Sequence, residues 1–357
     1  MRRTFPALSF ISSLLFAAAL LFAAESRAAE ALIPAGAKLE KIFEARVLTE
    51  GVAVAPDGQV YFSDITFSHK AREADGSIEA GTIYHYDPNT GKTRVFRSPS
   101  GMSNGIKFDA EGHMLVAEGA DFGGRRVTRT DMATGKTHII AALFEGRPLN
   151  SPNDITVDEQ GRIYFSDPRY LGYEDIDQPV QAVYRRDPDG SLHRIVTDAG
   201  KPNGVCVSPD QKTLYVVSND NGGTSIDRLS QSGPKPLDAT QVGVPLRKGF
   251  MGLMAYDLKD DGSATFRKVL VDYGKSDGPD GLVCDKEGNL WVAVRAEERF
   301  GIIVYSPEGK ELAYLPTELP TNVGFGRGKD ANLLYITAGK SVYRIRVNAE
   351  GYHLPTR

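Results

Sequence analysis

The stretch LNSPNDITVDEQGRIYFSDPRY, residues 149–170, decides the fold. Its centre, DITVDEQGRIYFSD, reads as a strand, a tight turn at Glu159, Gln160 and Gly161, and a second strand of β-branched and aromatic residues. The phrase returns along the chain. GVAVAPDGQVYFSD starts at Gly51, GIKFDAEGHMLVAE at Gly105, GVCVSPDQKTLYVVSND at Gly204, GLVCDKEGNLWVAV at Gly281, and GFGRGKDANLLYITAG, with a longer turn, at Gly324. Copies recur every roughly 45–55 residues, apart from one wider gap after the fourth, which is the period of a four-stranded propeller blade. Two more strand-like runs follow a copy, as in GTIYHYDPNTGKTRVFRS from Gly81 and QAVYRRDPDGSLHRIV from Gln181. The expected fold is all-β: a six-bladed β-propeller of four-stranded blades around a central metal-binding channel. AKLEKIFEA, from Ala37, is expected to pair with the last blade and close the ring, hiding sheet edges that would otherwise aggregate.

Composition agrees with this. The chain has 357 residues, 41% hydrophobic and 25% charged, and its 37 Gly and 20 Pro favour many short strands over long helices. The formal net charge is −4 and no basic block occurs, which argues against a nucleic-acid partner. The N-terminus begins MRR, runs through ALSFISSLLFAAALLFAA and reaches ESRAAEA, the pattern of a secretory signal with cleavage after Ala28. Residues 1–28 are therefore read as signal peptide and 29–357 as one propeller domain, exported to a periplasm or secreted, with no membrane attachment after processing. Oligomeric state and export route are not encoded legibly. Cys206 and Cys284 each fall inside an expected strand and are read as buried thiols, with a disulfide between them the alternative.

Aligned on their turns, the copies share one polar slot. Eight residues before Gly58, Gly112, Gly161, Gln211 and Gly288 stand Glu50, Asn104, Asn153, Asn203 and Asp280; with the longer turn the sixth copy supplies Asn322. Asn-Gly and Asp-Gly are common turn dipeptides, so any one of these could be a turn. Six oxygen-bearing side chains at one offset, including a Glu that suits no turn, point instead to a shared site at the channel mouth. Carboxylates and amide oxygens without sulfur or imidazole suit a hard cation. Calcium stands first, and zinc, magnesium and manganese stay open. None of the six histidines shows ligand spacing. No G-x-S-x-G elbow, paired-cysteine zinc motif or G-x-G-x-x-G opening a helix is present.

The segments EGVAVAPDGQVYFSD, GGRRVTRTD, FEGRPLNSPNDITVDEQGRIYFSDPRY, KPNGVCVSPDQKTLYV and GPDGLVCDKEGNLWVAV together resemble the SMP-30/gluconolactonase/LRE family, from about Leu48 to Tyr343. The resemblance implies a six-bladed propeller with a divalent cation, usually calcium, held by Glu50, Asn153, Asn203 and Asp280. It places Asn104 and Asn322 at the mouth, where they meet substrate, and Asp154 beside the metal ligands. It implies hydrolysis of a lactone, a sugar lactone first, with the metal polarising the carbonyl for attack by water. Asp280 is the first candidate for general base and Asp154 the second. The alternatives are a non-catalytic calcium-binding scaffold and a phosphotriesterase of the diisopropylfluorophosphatase type. One departure stands out. Where many gluconolactonases carry Cys-Glu-His, this chain reads VAEGADFGG, keeping Glu118 without the histidine.

Overall fold

The computed structural model describes residues 32–221, 249–296 and 298–356. The signal segment read from the sequence, and most of the long insertion in the fourth repeat, lie outside the described residues. The rest forms six four-stranded antiparallel sheets arranged as blades. Blade 1 runs through Thr49–Val54, Val60–Asp64, Thr82–Asp87 and Lys92–Arg97, and blade 2 through Ser103–Phe108, Met114–Glu118, Arg126–Thr130 and Thr137–Ala141. Blade 3 is Ile155–Val157, Ile163–Asp167, Ala182–Arg186 and Leu192–Val196; blade 4 is Pro202–Val207, Thr213–Asn219, Met251–Leu258 and Ala264–Asp272. Blade 5 is Pro279–Cys284, Leu290–Val294, Gly301–Tyr305 and Glu311–Pro316. Blade 6 takes Pro320–Phe325, Leu333–Ala338 and Ser341–Arg346 from the C-terminal end, and its outer strand, Glu40–Glu44, from the N-terminal end. The ring is therefore latched by the segment that the sequence singled out.

Burial falls from the inside outward. The first strands of blades 1, 4, 5 and 6 are buried at every residue, whereas the fourth strands are mostly exposed or half-buried. The core lies between blades rather than within one. Val283, Trp291 and Val304 of blade 5 pack on Val323, Phe325 and Ile336 of blade 6, and Val52 and Phe62 of blade 1 pack on Leu333 and Tyr335 of blade 6. Each fully buried side chain of this size contributes about 1.5–3 kcal/mol, so interblade packing is a large source of stability.

The turns behave as the alignment requires. Gly58, Gly112, Gly161 and Gly288 have φ of 84°, 80°, 82° and 86°, and the one non-glycine at that place, Gln211, is also left-handed at 63°.

Candidate active site

Glu50, Asn104, Asn203, Asp280 and Asn322 lie within the innermost strands of their blades, and Asn153 lies two residues before its own. The X-Gly pairs are therefore not turns. In blades 1, 2, 4, 5 and 6 the pairing with the second strand is interrupted at or beside the slot, and such bulges re-aim side chains. The glycines serve close approach. A Cβ on Gly51 would lie 1.8 Å from the carbonyl oxygen of Asn104, one on Gly105 2.7 Å from that of Asn153, and one on Gly204 2.3 Å from that of Asp280. Each glycine thus lets the next blade's slot residue come against it. Blade 3 carries Asp154 in that place. Its Oδ2 accepts the backbone N–H of Val205 at 2.9 Å, tying blade 3 to blade 4.

The repeated Phe-Ser-Asp of the second strands holds the loops leading to the slot. Asp64 accepts the backbone N–H groups of Arg46, Val47 and Leu48. Asp167 accepts those of Asn150 and Ser151, at 2.8 and 2.7 Å. This explains why Asn150 and Ser151 precede a core strand. Burial, against those N–H bonds, pushes Asp167 up to about 7.

A cavity of about 370 Å³ opens at this mouth, lined by Glu50, Asn104, Asn153, Asn203 and Asp280. Asn322 is not on its lining. Its Nδ2 donates to Glu50 Oε2 at 3.1 Å, so it supports the carboxylate from behind. Asp154 is also off the lining. Burial raises Glu50 well above the usual carboxylate range, helped by repulsion from Asp280 and Asp154. Burial likewise raises Asp154, to about 6, against the pull of Lys107. Asp280 is raised by burial although the Arg295 guanidinium donates to its Oδ2 at 2.9 Å. Three carboxylates are thus buried near one another, with the Arg295 guanidinium on Asp280 and Lys107 the cation acting on Asp154. Asn104 Oδ1 is buried with no hydrogen-bond partner. An oxygen-only set with crowded negative charge and an unpartnered carbonyl suits a hard cation.

Among the lining residues not foreseen are Arg295, Asn219 and Tyr170. Arg295 and Asn219 occupy the same place in their blades, their N–H groups bonding the carbonyls of Gly278 and Lys201. The repeat alignment contained this second column, but a column of mixed residue types carries no signal by itself. Tyr170, in the quoted FSDPRY, accepts from Asn203 Nδ2 at 3.1 Å and donates to the carbonyl of Asn219 at 3.0 Å. Burial raises its phenol well above the usual range. Glu118, the remnant of the Cys-Glu-His run, is buried away from the cavity and paired with Arg97 and Arg126. Among the described residues, Asp109, Glu111 and His113 form a separate acidic cluster on blade 2, engaged by Arg129.

The fold and mouth define a class, the six-bladed propeller with an oxygen-lined channel. The SMP-30/Gluconolactonase/LRE-like region matches residues 48–340, and the chain belongs to that family. It is 31% identical over 265 residues to the gluconolactonase of Zymomonas mobilis, covering 72% of this chain and 65% of that protein. It is 26% identical over 266 residues to the pentonolactonase of Haloferax volcanii, covering 73% and 75%. The chain thus spans just under two thirds of the Zymomonas relative's length. The structure of a gluconolactonase from Xanthomonas campestris matches with TM-score 0.68 and 25% identity, over 89% of this chain and 91% of that one. A calcium-binding regucalcin from Agrobacterium tumefaciens shares the fold, with TM-score 0.64 and 20% identity, over 90% and 97%.

Proposed function

We propose that the channel mouth is the active site of a metal-dependent lactonase acting on a sugar lactone. The observation that carries this is the cluster of Glu50, Asp154 and Asp280, buried together beside the unpartnered Asn104 Oδ1. The lactonase relatives support the reaction class. Glu50, Asn153, Asn203 and Asp280 would hold the cation, and calcium fits their all-oxygen chemistry best. A divalent cation bound there polarises a carbonyl oxygen and acidifies water. The chain's own residues do the rest. Asp280, on the cavity wall, takes the proton from the attacking water. Asp154 is poorly placed for that, since it lies off the wall, so it supports Asn153 and the neighbouring strand. Arg295 favours the ionised form of Asp280 against the effect of burial. Asn104, Asn219 and the Tyr170 hydroxyl orient sugar hydroxyls, and Asn322 fixes Glu50. Export through the leading segment belongs to the same proposal, and the mature N-terminus read by mass spectrometry tests it.

The mouth also has an apolar wall, Phe67, Met102, Leu171 and Leu319. It favours a second reading, phosphotriester hydrolysis at the same residues. Both are tested by one assay: chelate the protein, restore calcium, magnesium, manganese or zinc singly, and follow aldonolactone and phosphotriester turnover with melting temperature in the same samples. Lactone turnover that vanishes on chelation and returns with one metal is the expected result. A melting temperature that responds to metal while no lactone turns over would leave the mouth a structural site. Preferred phosphotriester turnover would install the second reading.

A further inference from the structure

The far end of the channel holds chemistry that lactone hydrolysis does not use. Cys206 lies in the inner strand Pro202–Val207 of blade 4 and Cys284 ends the inner strand Pro279–Cys284 of blade 5. They are the chain's two cysteines, both buried, and their Sγ atoms stand 3.3 Å apart. Both line a small, partly open cavity with Lys107, Arg327 and Thr156, flanked by Tyr352 and His353 of the C-terminal tail. Its volume is about 60 Å³, where a water needs about 10–15 Å³. Hydrogen peroxide, little larger than water, fits.

We propose that Cys206 and Cys284 are an oxidation site, converted by hydrogen peroxide into a disulfide that joins blades 4 and 5. Two features favour it. A disulfide needs sulfurs about 2.05 Å apart, so the pair must close by only a little over 1 Å, within reach of side-chain torsions. The two thiols are also unlike. The contact with the Cys284 sulfur and the nearby Lys107 ammonium hold Cys206 below the usual thiol range, while the same contact and burial raise Cys284 well above it. With both sulfurs in contact and facing one cavity, one thiol can attack and the other resolve, and we assign the attack to Cys206, the one held lower.

The step balances. The Cys206 thiolate attacks one peroxide oxygen, the O–O bond breaks, and the departing hydroxide takes a proton to become water. The resulting Cys206 sulfenic acid is attacked by Cys284 sulfur, the S–O bond breaks, and the S–S bond forms as a second water leaves. Two thiols lose two electrons and the peroxide oxygens gain them. The product links positions 78 residues apart, a long loop whose closure restricts the unfolded chain.

The test uses the reduced, folded full chain. It is exposed to one equivalent of hydrogen peroxide, quenched, denatured in a maleimide and weighed intact. The expected product carries no maleimide, is about 2 Da lighter than the reduced chain, and melts about 5 °C higher, reverting with dithiothreitol. Cys206→Ser and Cys284→Ser, each shown by circular dichroism to be folded, should form no such product. Two maleimides on the treated wild type would overturn the proposal, as would a gain of about 32 Da from sulfinic acid. So would a disulfide-linked dimer, or a crosslink formed only when peroxide is added to unfolded chain.

Discussion

Asp280 is pulled two ways. Burial favours its protonated form, while Arg295 at 2.9 Å, with Asn203, favours the carboxylate. Asp280→Asn keeps the shape and removes the base. Lactone turnover should fall at least 100-fold, the usual scale of general-base loss, with the circular dichroism spectrum unchanged. Arg295→Met removes the opposing charge and so raises Asp280 further. The base must be ionised to work, so the acid limb of the pH–rate profile should move to higher pH; an unmoved limb would separate Arg295 from the reaction. The glycine after the slot is equally specific. Gly204→Ala sets a Cβ 2.3 Å from the Asp280 carbonyl, against backbone that cannot yield. Denaturant unfolding should show a loss of about 1–3 kcal/mol, with reduced turnover because Asn203 and Asp280 move. Gly58→Ala, with open space around its Cβ, should cost only about 1–2 kcal/mol of left-handed strain and leave turnover intact.

At the scale of elements, the strands were legible because alternation, Asp-Gly turns and repetition reinforced one another. The C-terminal tail was not. Tyr352, His353 and Leu354 come after the last strand and carry no pattern, yet they flank the channel's far end. Tyr352 donates to Glu159 at 2.7 Å, and His353 Nε2 meets the Gly326 carbonyl at 2.9 Å. Burial, with Arg327 and Lys107 nearby, lowers His353 to about 3. Below about pH 6.5 the unfolded chain takes up a proton that the folded chain refuses, so stability falls as pH drops from about 6.5 towards 3. The slope from this one group is at most about 1.4 kcal/mol per pH unit. His353→Gln, still able to donate to Gly326, should flatten the melting-temperature profile between pH 7 and 5. An unchanged profile would show that the tail does not hold the neutral ring.

At the scale of the molecule, blades meet face to face and the last must meet the first. Glu40–Glu44 completes blade 6 along Ser341–Arg346, with Arg344 on both oxygens of Glu40. Beginning the chain at residue 46 should bare that strand edge. The melting temperature should drop by 10 °C or more on the scale of about 2–4 °C per kcal/mol, and light scattering should report aggregation. A truncated protein that melts as the full chain would mean that the ring closes on packing alone.

The sequence by itself determined the blade number, the register of the six slot residues, the latch and the oxygen-only chemistry, because these rest on periodicity and residue type. Only the tertiary structure decided which slot residues face the cavity, that Asn322 stands behind Glu50, that Arg295 grips Asp280, and that the two cysteines touch. Those facts depend on how neighbouring blades approach. That distance is set by side chains far apart in the chain, so no local pattern records it.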